Sequence, residues 1–320
     1  MTSYLIRRLL LMVPTILFVT IMVFMLIRIV PGDVITMMAQ RGEGGTAVEY
    51  GITEDQIKEM LGLDVPIHIQ YFRWLGNILH GDLGKSLWST RTVIDELKSR
   101  IPVSVELGIL ALIIGQLVAF PVGIYSAIRQ DSFGDLTGRS LAIAFLCIPA
   151  FWLATLLMVY PALWWKWMPA SQYVSFFQDP LGNLAVFIWP ALIMGLHSSG
   201  VTMRMTRTMM LEVLRQDYIR TAWSKGLKEH IIIIRHGLRN ALIPVITIVG
   251  MQIPVLIGGV VIIEQIFNLP GMGRLFLESL TTRDYTMLSG VNLFIATFVL
   301  VNNLGVDLTY GYLDPRIRYT

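Results

Sequence analysis

The sequence predicts an all-α, polytopic membrane protein with six transmembrane helices and a small helical subdomain outside the membrane. Composition gives the first indication: the 320 residues are 54% hydrophobic and only 15% charged, with a mean hydropathy of +0.63, well outside the soluble range. Length gives the second, because six apolar stretches each approach the roughly 20 residues a helix needs to cross about 30 Å of hydrocarbon. The third is the distribution of Lys and Arg, which collect on alternate connections as the positive-inside bias requires.

The first stretch, Leu9 to Val30, follows Tyr4-Leu5-Ile6-Arg7-Arg8 and so begins like a signal peptide. Its apolar run is too long for a signal h-region and no small-x-small cleavage site follows, so it reads as a retained anchor. The segment from Pro31 to Arg100 is polar and acidic, with Glu43, Glu49, Glu54, Asp55, Glu59, Asp64 and Asp82. Within it, Ile52 to Leu61 predicts a short helix with Thr53 as N-cap and Gly62 as stop. Pro66 to Leu79 predicts an amphipathic helix with Ile69, Phe72 and Leu75 on one face and Tyr71 and Trp74 suited to a membrane interface.

The remaining spans are Val103 to Ile128, Leu141 to Leu163, Leu184 to Met203, Ala241 to Ile263 and Met287 to Val306. Trp164, Trp165 and Trp167 form an aromatic belt after the third. Pro121, Pro149, Pro161, Pro190, Pro244 and Pro254 can each kink a span and leave carbonyls to line a cavity. With the N-terminus inside, the inner segments hold Arg7, Arg8, Arg129, Arg139, the dense group from Arg204 to Arg239, and Arg316 and Arg318. Both termini are therefore expected in the cytoplasm, in a multi-pass protein of the inner or plasma membrane. The chain divides into residues 1–100, the first span with the outer subdomain, and 101–320, a five-helix core carrying a cytoplasmic loop at 204–240.

The net charge of +3 and pI near 9.0 are accounted for by basic residues at membrane edges and predict no nucleic-acid partner. The single cysteine, Cys147, within AIAFLCIPAFW, excludes an intrachain disulfide and a thiolate metal cluster and reads as a small packing residue. Gly84-Lys85-Ser86 imitates the end of a phosphate loop. The glycine required five positions earlier is Leu79, and an amphipathic helix rather than a strand precedes it. His197 and Ser198, in GLHSSG, are neighbours on a helix and point roughly 100° apart, so they cannot act as base and nucleophile. The five histidines have no metal-binding spacing. The chain is expected to be no enzyme and to bind no metal.

Thr206 to Asn240 carries the strongest functional signal. Met210, Leu211, Leu214, Tyr218 and Ala222 lie at helical spacing and should extend the fourth span into the cytoplasm. At Gly226 the pattern breaks, and Leu227 to His230 suit a short helix parallel to the membrane. Taken alone, the loop is either a basic topology signal at the lipid surface or a docking element. Asp217-Tyr218-Ile219-Arg220-Thr221-Ala222-x-x-Lys225-Gly226, followed by Arg235-His236-x-Leu238-Arg239-Asn240, resembles the EAA loop of the permease subunits of ABC importers. The closest resemblance is to the dipeptide, oligopeptide and nickel branch. Arg220 stands where that loop has Glu, and His236-Gly237-Leu238-Arg239 replaces I-x-L-P, so roles of that Glu and Pro are not carried over. LGLDVPIHIQYFRWLGNILHGDLGKS, EQIFNLPGMGRLFLESLTTRDY and DLTYGYLDPRIRY resemble the same branch in the same order.

The resemblance implies the type I, MetI-like importer permease fold. It implies a second homologous permease subunit, in a heterodimer, two ABC ATPase subunits on the cytoplasmic side, and an extracytoplasmic solute-binding protein. ATP and Mg would be used by the ATPase subunits, and this chain would bind no cofactor. Asp217, Tyr218, Arg220, Ala222, Lys225, Gly226, Leu227, Lys228, Glu229 and His230 would form the ATPase-coupling element. Leu227 would be its apolar knob, and Lys225 and Lys228 would meet acidic groups. The cargo of this branch is dipeptides or oligopeptides, or alternatively nickel chelates, glutathione or oligosaccharides.

Charged residues are scarce within the spans, which argues against an ion-coupled secondary transporter or channel. Glu106 and Arg28 are either interfacial charges or parts of a gate. Gln116, Gln252, Asn292, Asn302 and Asn303 are either interhelical hydrogen-bonding groups or lining of a translocation path. Glu106, Gln116, Gln252 and Asn302 are the candidates for that path.

Overall fold

The computed structural model describes residues 2–29, 65–258 and 261–313. The expected helix over Ile52–Leu61, the side chain of Arg28 and the terminal Arg316 and Arg318 lie outside the described residues. Among the described residues the chain is helical, and the one β-feature is an isolated bridge between Lys85 and Thr92. Among the described residues, five helices are long and apolar enough to cross a membrane, and a sixth span forms if one bent pair is counted together.

In chain order the elements are α1 (Thr2–Ile29), α2 (Ile67–Leu79), α3 (Val93–Ile128), α4 (Phe133–Cys147), α5 (Ala150–Trp165), α6 (Pro180–Leu214), α7 (Asp217–Ser224) and α8 (Glu229–Ile231). A π-helix (Ile232–Leu238) then leads into α9 (Arg239–Gly258), α10 (Val261–Ile266), α11 (Met272–Thr281) and α12 (Tyr285–Leu313). Several run beyond the expected apolar spans, α3 and α6 most of all. α3 starts ten residues before Val103 because Thr92 opens it: its hydroxyl accepts from the Asp95 N–H at 3.2 Å and donates to the Asp95 carboxylate at 2.6 Å. Its 36 residues extend about 54 Å at 1.5 Å per residue, well beyond a bilayer core.

The third span is not continuous. α4 and α5 meet at an angle of 88°, with Ile148 extended at φ −84° and ψ 120°. Pro149 is the cause, since its ring excludes the helical conformation from the residue before it. The other span prolines sit inside helices that continue through them. Cys147 ends α4 at this bend and is exposed, which corrects the expectation that it packs inside.

The chain forms two compact units. The first comprises residues 1–6, 100–275 and 298–320. Its core joins Leu107 and Ala111 of α3, Phe187 and Met194 of α6, and Phe267 and Leu269 beyond α10. Where α3 crosses α6, a Cβ on Gly195 would lie 2.7 Å from the Ala111 carbonyl oxygen, so the two backbones approach as only glycine permits.

The second unit comprises residues 7–99 and 276–297. α2 packs its Tyr71 and Trp74 against Phe24 of α1, with ring centroids 5.3 and 5.6 Å apart, and Thr20 and Tyr71 share a hydrogen bond of 2.9 Å. The expected apolar face is the outward one, since Phe72 is 67% exposed. The Gly84-Lys85-Ser86 turn has a structural role here. Ser86 donates to the Asp284 carboxylate at 2.5 Å and the Leu87 N–H donates to the same oxygen at 3.1 Å.

Candidate functional site

The segment between α6 and α9 does not prolong α6 as far as Ala222. α6 ends at Leu214, and Gln216 is extended at φ −73° and ψ 150°. The turn lets α7 lay Ile219 and Ala222 against Ile232, Leu214 and Leu227, which a straight extension would have left in solvent. The free-standing short helix therefore precedes Gly226 rather than following it.

The end of α7 explains Gly226. Its N–H donates to the Trp223 carbonyl at 2.9 Å, and the Leu227 N–H donates to the Ala222 carbonyl at 3.4 Å. Gly226 has φ +72°. This is a Schellman cap with glycine in the left-handed position, and Leu227 supplies its hydrophobic contact. A Cβ on Gly226 would meet nothing within 4 Å, so the requirement is conformational. Leu227 is half-buried, packed against the chain's own Ile219, Ala222 and Ile232.

The outward groups are different ones. Asp217, Tyr218, Arg220, Lys225, Lys228, Glu229 and His230 are exposed, as is Trp223, while Ala222 is buried. Trp223 is 50% exposed and Tyr218 43%. Arg220 and Asp217 approach to 3.5 Å with side chains 77% and 95% exposed, a pair that adds little stability. The face thus offers two aromatics ringed by mixed charge. Trp223 was not singled out by motif, because it fills a variable position between Ala222 and Lys225; a lone aromatic on the polar side of a short helix was the available signal.

The segment is continuous with the span core. The π-helix brings Gly237 against Leu214 and Met210, and Met210 packs with Ala127 of α3 and Ala241 of α9. Asn240 donates to the Tyr218 hydroxyl at 3.0 Å.

A cavity of about 560 Å³ opens between α4, α5, α6 and α9 in the first unit. Met194, His197, Ser198, Val201 and Gln252 line it, with Phe151 beside the bend. His197 Nδ1 and the Phe145 carbonyl are 2.8 Å apart, Ser198 donates to the Gly195 carbonyl at 3.0 Å, and the Gln252 amide NH2 donates to Thr202 at 3.1 Å, while Gln252 Oε1 is buried without a hydrogen-bond partner. The wall is therefore mainly apolar and uncharged. On its open side Met251 is 64% and Val255 66% exposed.

Of the four candidates for a path, only Gln252 lines this cavity. Asn302 donates to the Gly250 carbonyl at 2.9 Å and ties α12 to α9. Glu106 hydrogen-bonds Asn183. Gln116 lies in a separate shallow groove with Leu112 and Phe120. His197 and Ser198, which sequence reasoning treated only as a rejected catalytic pair, belong to the cavity.

A buried carboxylate on α10 was also missed. Glu264, wholly buried on α10, accepts from the Ser104 hydroxyl at 2.7 Å and the Arg274 N–H at 2.9 Å, while the Met272 N–H donates to Ser104 at 2.7 Å. Burial holds its carboxyl above the ordinary value, against the hydrogen bonds from Ser104, Arg274 and Gly273. A Glu at the end of an apolar run, followed by LPGMG, was the signal in the sequence.

Comparison with known proteins agrees over the whole chain. The family of binding-protein-dependent transport system inner membrane components matches residues 119–319, and its N-terminal component matches residues 1–108. A Brucella abortus chain provisionally named a peptide transport system permease protein is 40% identical over 319 residues, covering all of both chains. The dipeptide transport system permease protein DppB of Escherichia coli is 38% identical over all of this chain and 99% of its own. The glutathione transport system permease protein of Pectobacterium atrosepticum is 37% identical over all of both. Among solved structures, the MetNI methionine ABC transporter in inward-facing form aligns with a TM-score of 0.54 at 14% identity, over 68% of this chain and 96% of that one. That likeness establishes the fold.

Proposed function

The chain belongs to the family of binding-protein-dependent transport system inner membrane components, the permease subunits of ABC importers, and we propose that its cargo is a di- or oligopeptide. The uncharged, mainly apolar cavity at the α4–α5 bend carries this reading. Peptide side chains vary while their backbone amides stay constant, so a wall without fixed charge suits them better than it suits a metal chelate. Two of the relatives above carry the names of peptide or dipeptide transport permeases, the first provisionally.

In this reading a second permease subunit closes the open side of the cavity, and that subunit is a homologous but distinct chain, so that the pair is a heterodimer. A solute-binding protein delivers cargo on the outer side. Two ATPase subunits engage α7 and residues 225–230 on the cytoplasmic side, where both termini also lie. ATP shifts the balance between inward-open and outward-open states by its differential affinity for them. The chain itself is non-catalytic and binds no cofactor; ATP and Mg are held by the ATPase subunits.

Uptake by the reconstituted importer tests the cargo. A labelled dipeptide should enter on addition of ATP and be competed by unlabelled di- and tripeptides. Competition by nickel chelates or oligosaccharides, but not by peptides, would overturn the assignment.

A further inference from the structure

Asp135, near the start of α4, is wholly buried. Arg207 of α6 grips it with both arms of its fork, Nε to Oδ1 and Nη2 to Oδ2, each at 3.0 Å. Arg139 stands one turn along at 3.5 Å from Oδ1, and the Asp131 N–H donates to Oδ2 at 3.1 Å. Two planar groups in this arrangement resist both sliding and rotation of one helix past the other.

The surroundings reinforce the clamp. A Cβ on Gly123 of α3 would lie 2.9 Å from the Met203 carbonyl oxygen, and one on Gly138 of α4 would lie 2.8 Å from Val122. α3 and α6 are thus in backbone contact beside the ion pair, α4 packs Gly138 against the Val122 side chain of α3, and α6 meets the α4 backbone at Gly200, where a Cβ would lie 2.6 Å from the Ala142 carbonyl oxygen. Arg207 lies one turn before Met210, against which the segment from α7 to α9 is packed. At the other end of α4, Leu146 lines the cavity.

We propose that the Asp135–Arg207 pair is a positioning pair that makes α4 travel with α6, so that a push on α7 from the ATPase reaches the cavity wall at the bend. α6 alone carries His197 and Ser198, whereas α4 carries Leu146 and leads through the bend to Phe151. Without the pair, α6 can move while α4 lags, and the two sides of the cavity separate. This rests on the reading of α7 and residues 225–230 as the coupling element.

The test uses spin labels on exposed Ser140 of α4 and Thr208 of α6, in a Cys147→Ser background, in the importer assembled with its ATPase subunits. The distance between the labels is read without nucleotide and after trapping with ATP and vanadate. With the native pair the distance should be the same in both states. Asp135→Asn should make it nucleotide-dependent, and the exchange Asp135→Arg with Arg207→Asp should restore constancy. Arg207→Lys, which keeps the charge and loses the fork, should shift partially, and it serves as the test if Asp135→Asn fails to assemble. A nucleotide-dependent distance with the native pair, or a constant one in assembled Asp135→Asn or Arg207→Lys, overturns the proposal. Gly226→Arg reports separately on the coupling element: normal ATPase association in that variant would refute the parent reading whatever the labels show.

Discussion

The side-chain amide of Asn240 donates to the hydroxyl of Tyr218 at 3.0 Å, joining the first turn of α7 to the start of α9. The segment between α6 and α9 is therefore closed at its base by this bond, and its tip is set by the left-handed Gly226. Gly226→Asn should keep ATP-driven uptake, because Asn tolerates that conformation. Gly226→Ala should destabilise the cap by about 1 kcal/mol and reduce uptake modestly. Gly226→Arg adds bulk and charge to the strain and should abolish uptake while membrane insertion survives. Uptake assays on the series, with membrane fractionation, check the order; normal uptake with Arg removes the segment from coupling.

Lys85 is exposed in the turn that holds Asp284, whereas Ser86 is partly buried and engaged. Lys85→Cys should accordingly be labelled by an impermeant maleimide from the external side of sealed cells, in a Cys147→Ser background. Labelling only from the cytoplasmic side of inverted vesicles would reverse the topology.

Glu264 is surrounded by donors in a buried site. Glu264→Ala strands Ser104 and the Arg274 N–H and should cost on the order of 3 kcal/mol. Glu264→Gln keeps an oxygen for the Arg274 N–H and turns its NH2 toward the Ser104 oxygen, reversing that bond, so it should cost less than the alanine, about 1 kcal/mol. Burial raises this carboxyl above its ordinary value, so the folded chain holds the proton more tightly than the unfolded one. The stability it gives is present below the ordinary carboxyl value and is lost as pH rises through the raised one. Thermal unfolding of the detergent-solubilised protein across pH should show that slope, and Glu264→Gln should flatten it.

Val201 lines the cavity on α6. Val201→Trp fills part of that space and should lower dipeptide uptake about tenfold, equivalent to roughly 1.4 kcal/mol, with ATPase subunits still copurifying. Unchanged uptake would place the path elsewhere.

Much of this architecture was legible in hydropathy, because burial in lipid imposes length and apolarity on each span. What the sequence left hidden came from competing local physics. Pro149 was one of six prolines with the same apparent licence to kink, and only at the α4–α5 junction does the chain turn by 88°. α7 separates from α6 with neither Gly nor Pro at Arg215 and Gln216; the gain from burying Ile219 and Ala222 is a tertiary effect. Gly226 was legible as a break, but its Schellman cap turned Leu227 inward and left Trp223 outside. Polar span residues could not be sorted by sequence, since Gln252 reaches a cavity while Asn302 serves a helix contact.

The central claim is that α7 and residues 225–230 are where this permease receives force from an ATPase. Trp223→Cys, in a Cys147→Ser background, tests it most directly when the assembled importer is treated with a short bifunctional thiol-to-amine reagent. The account predicts an adduct between the permease and an ATPase subunit from position 223 and none from Lys85→Cys. An assembled, ATP-hydrolysing importer that gives no adduct at 223, but gives one at 85, would contradict it.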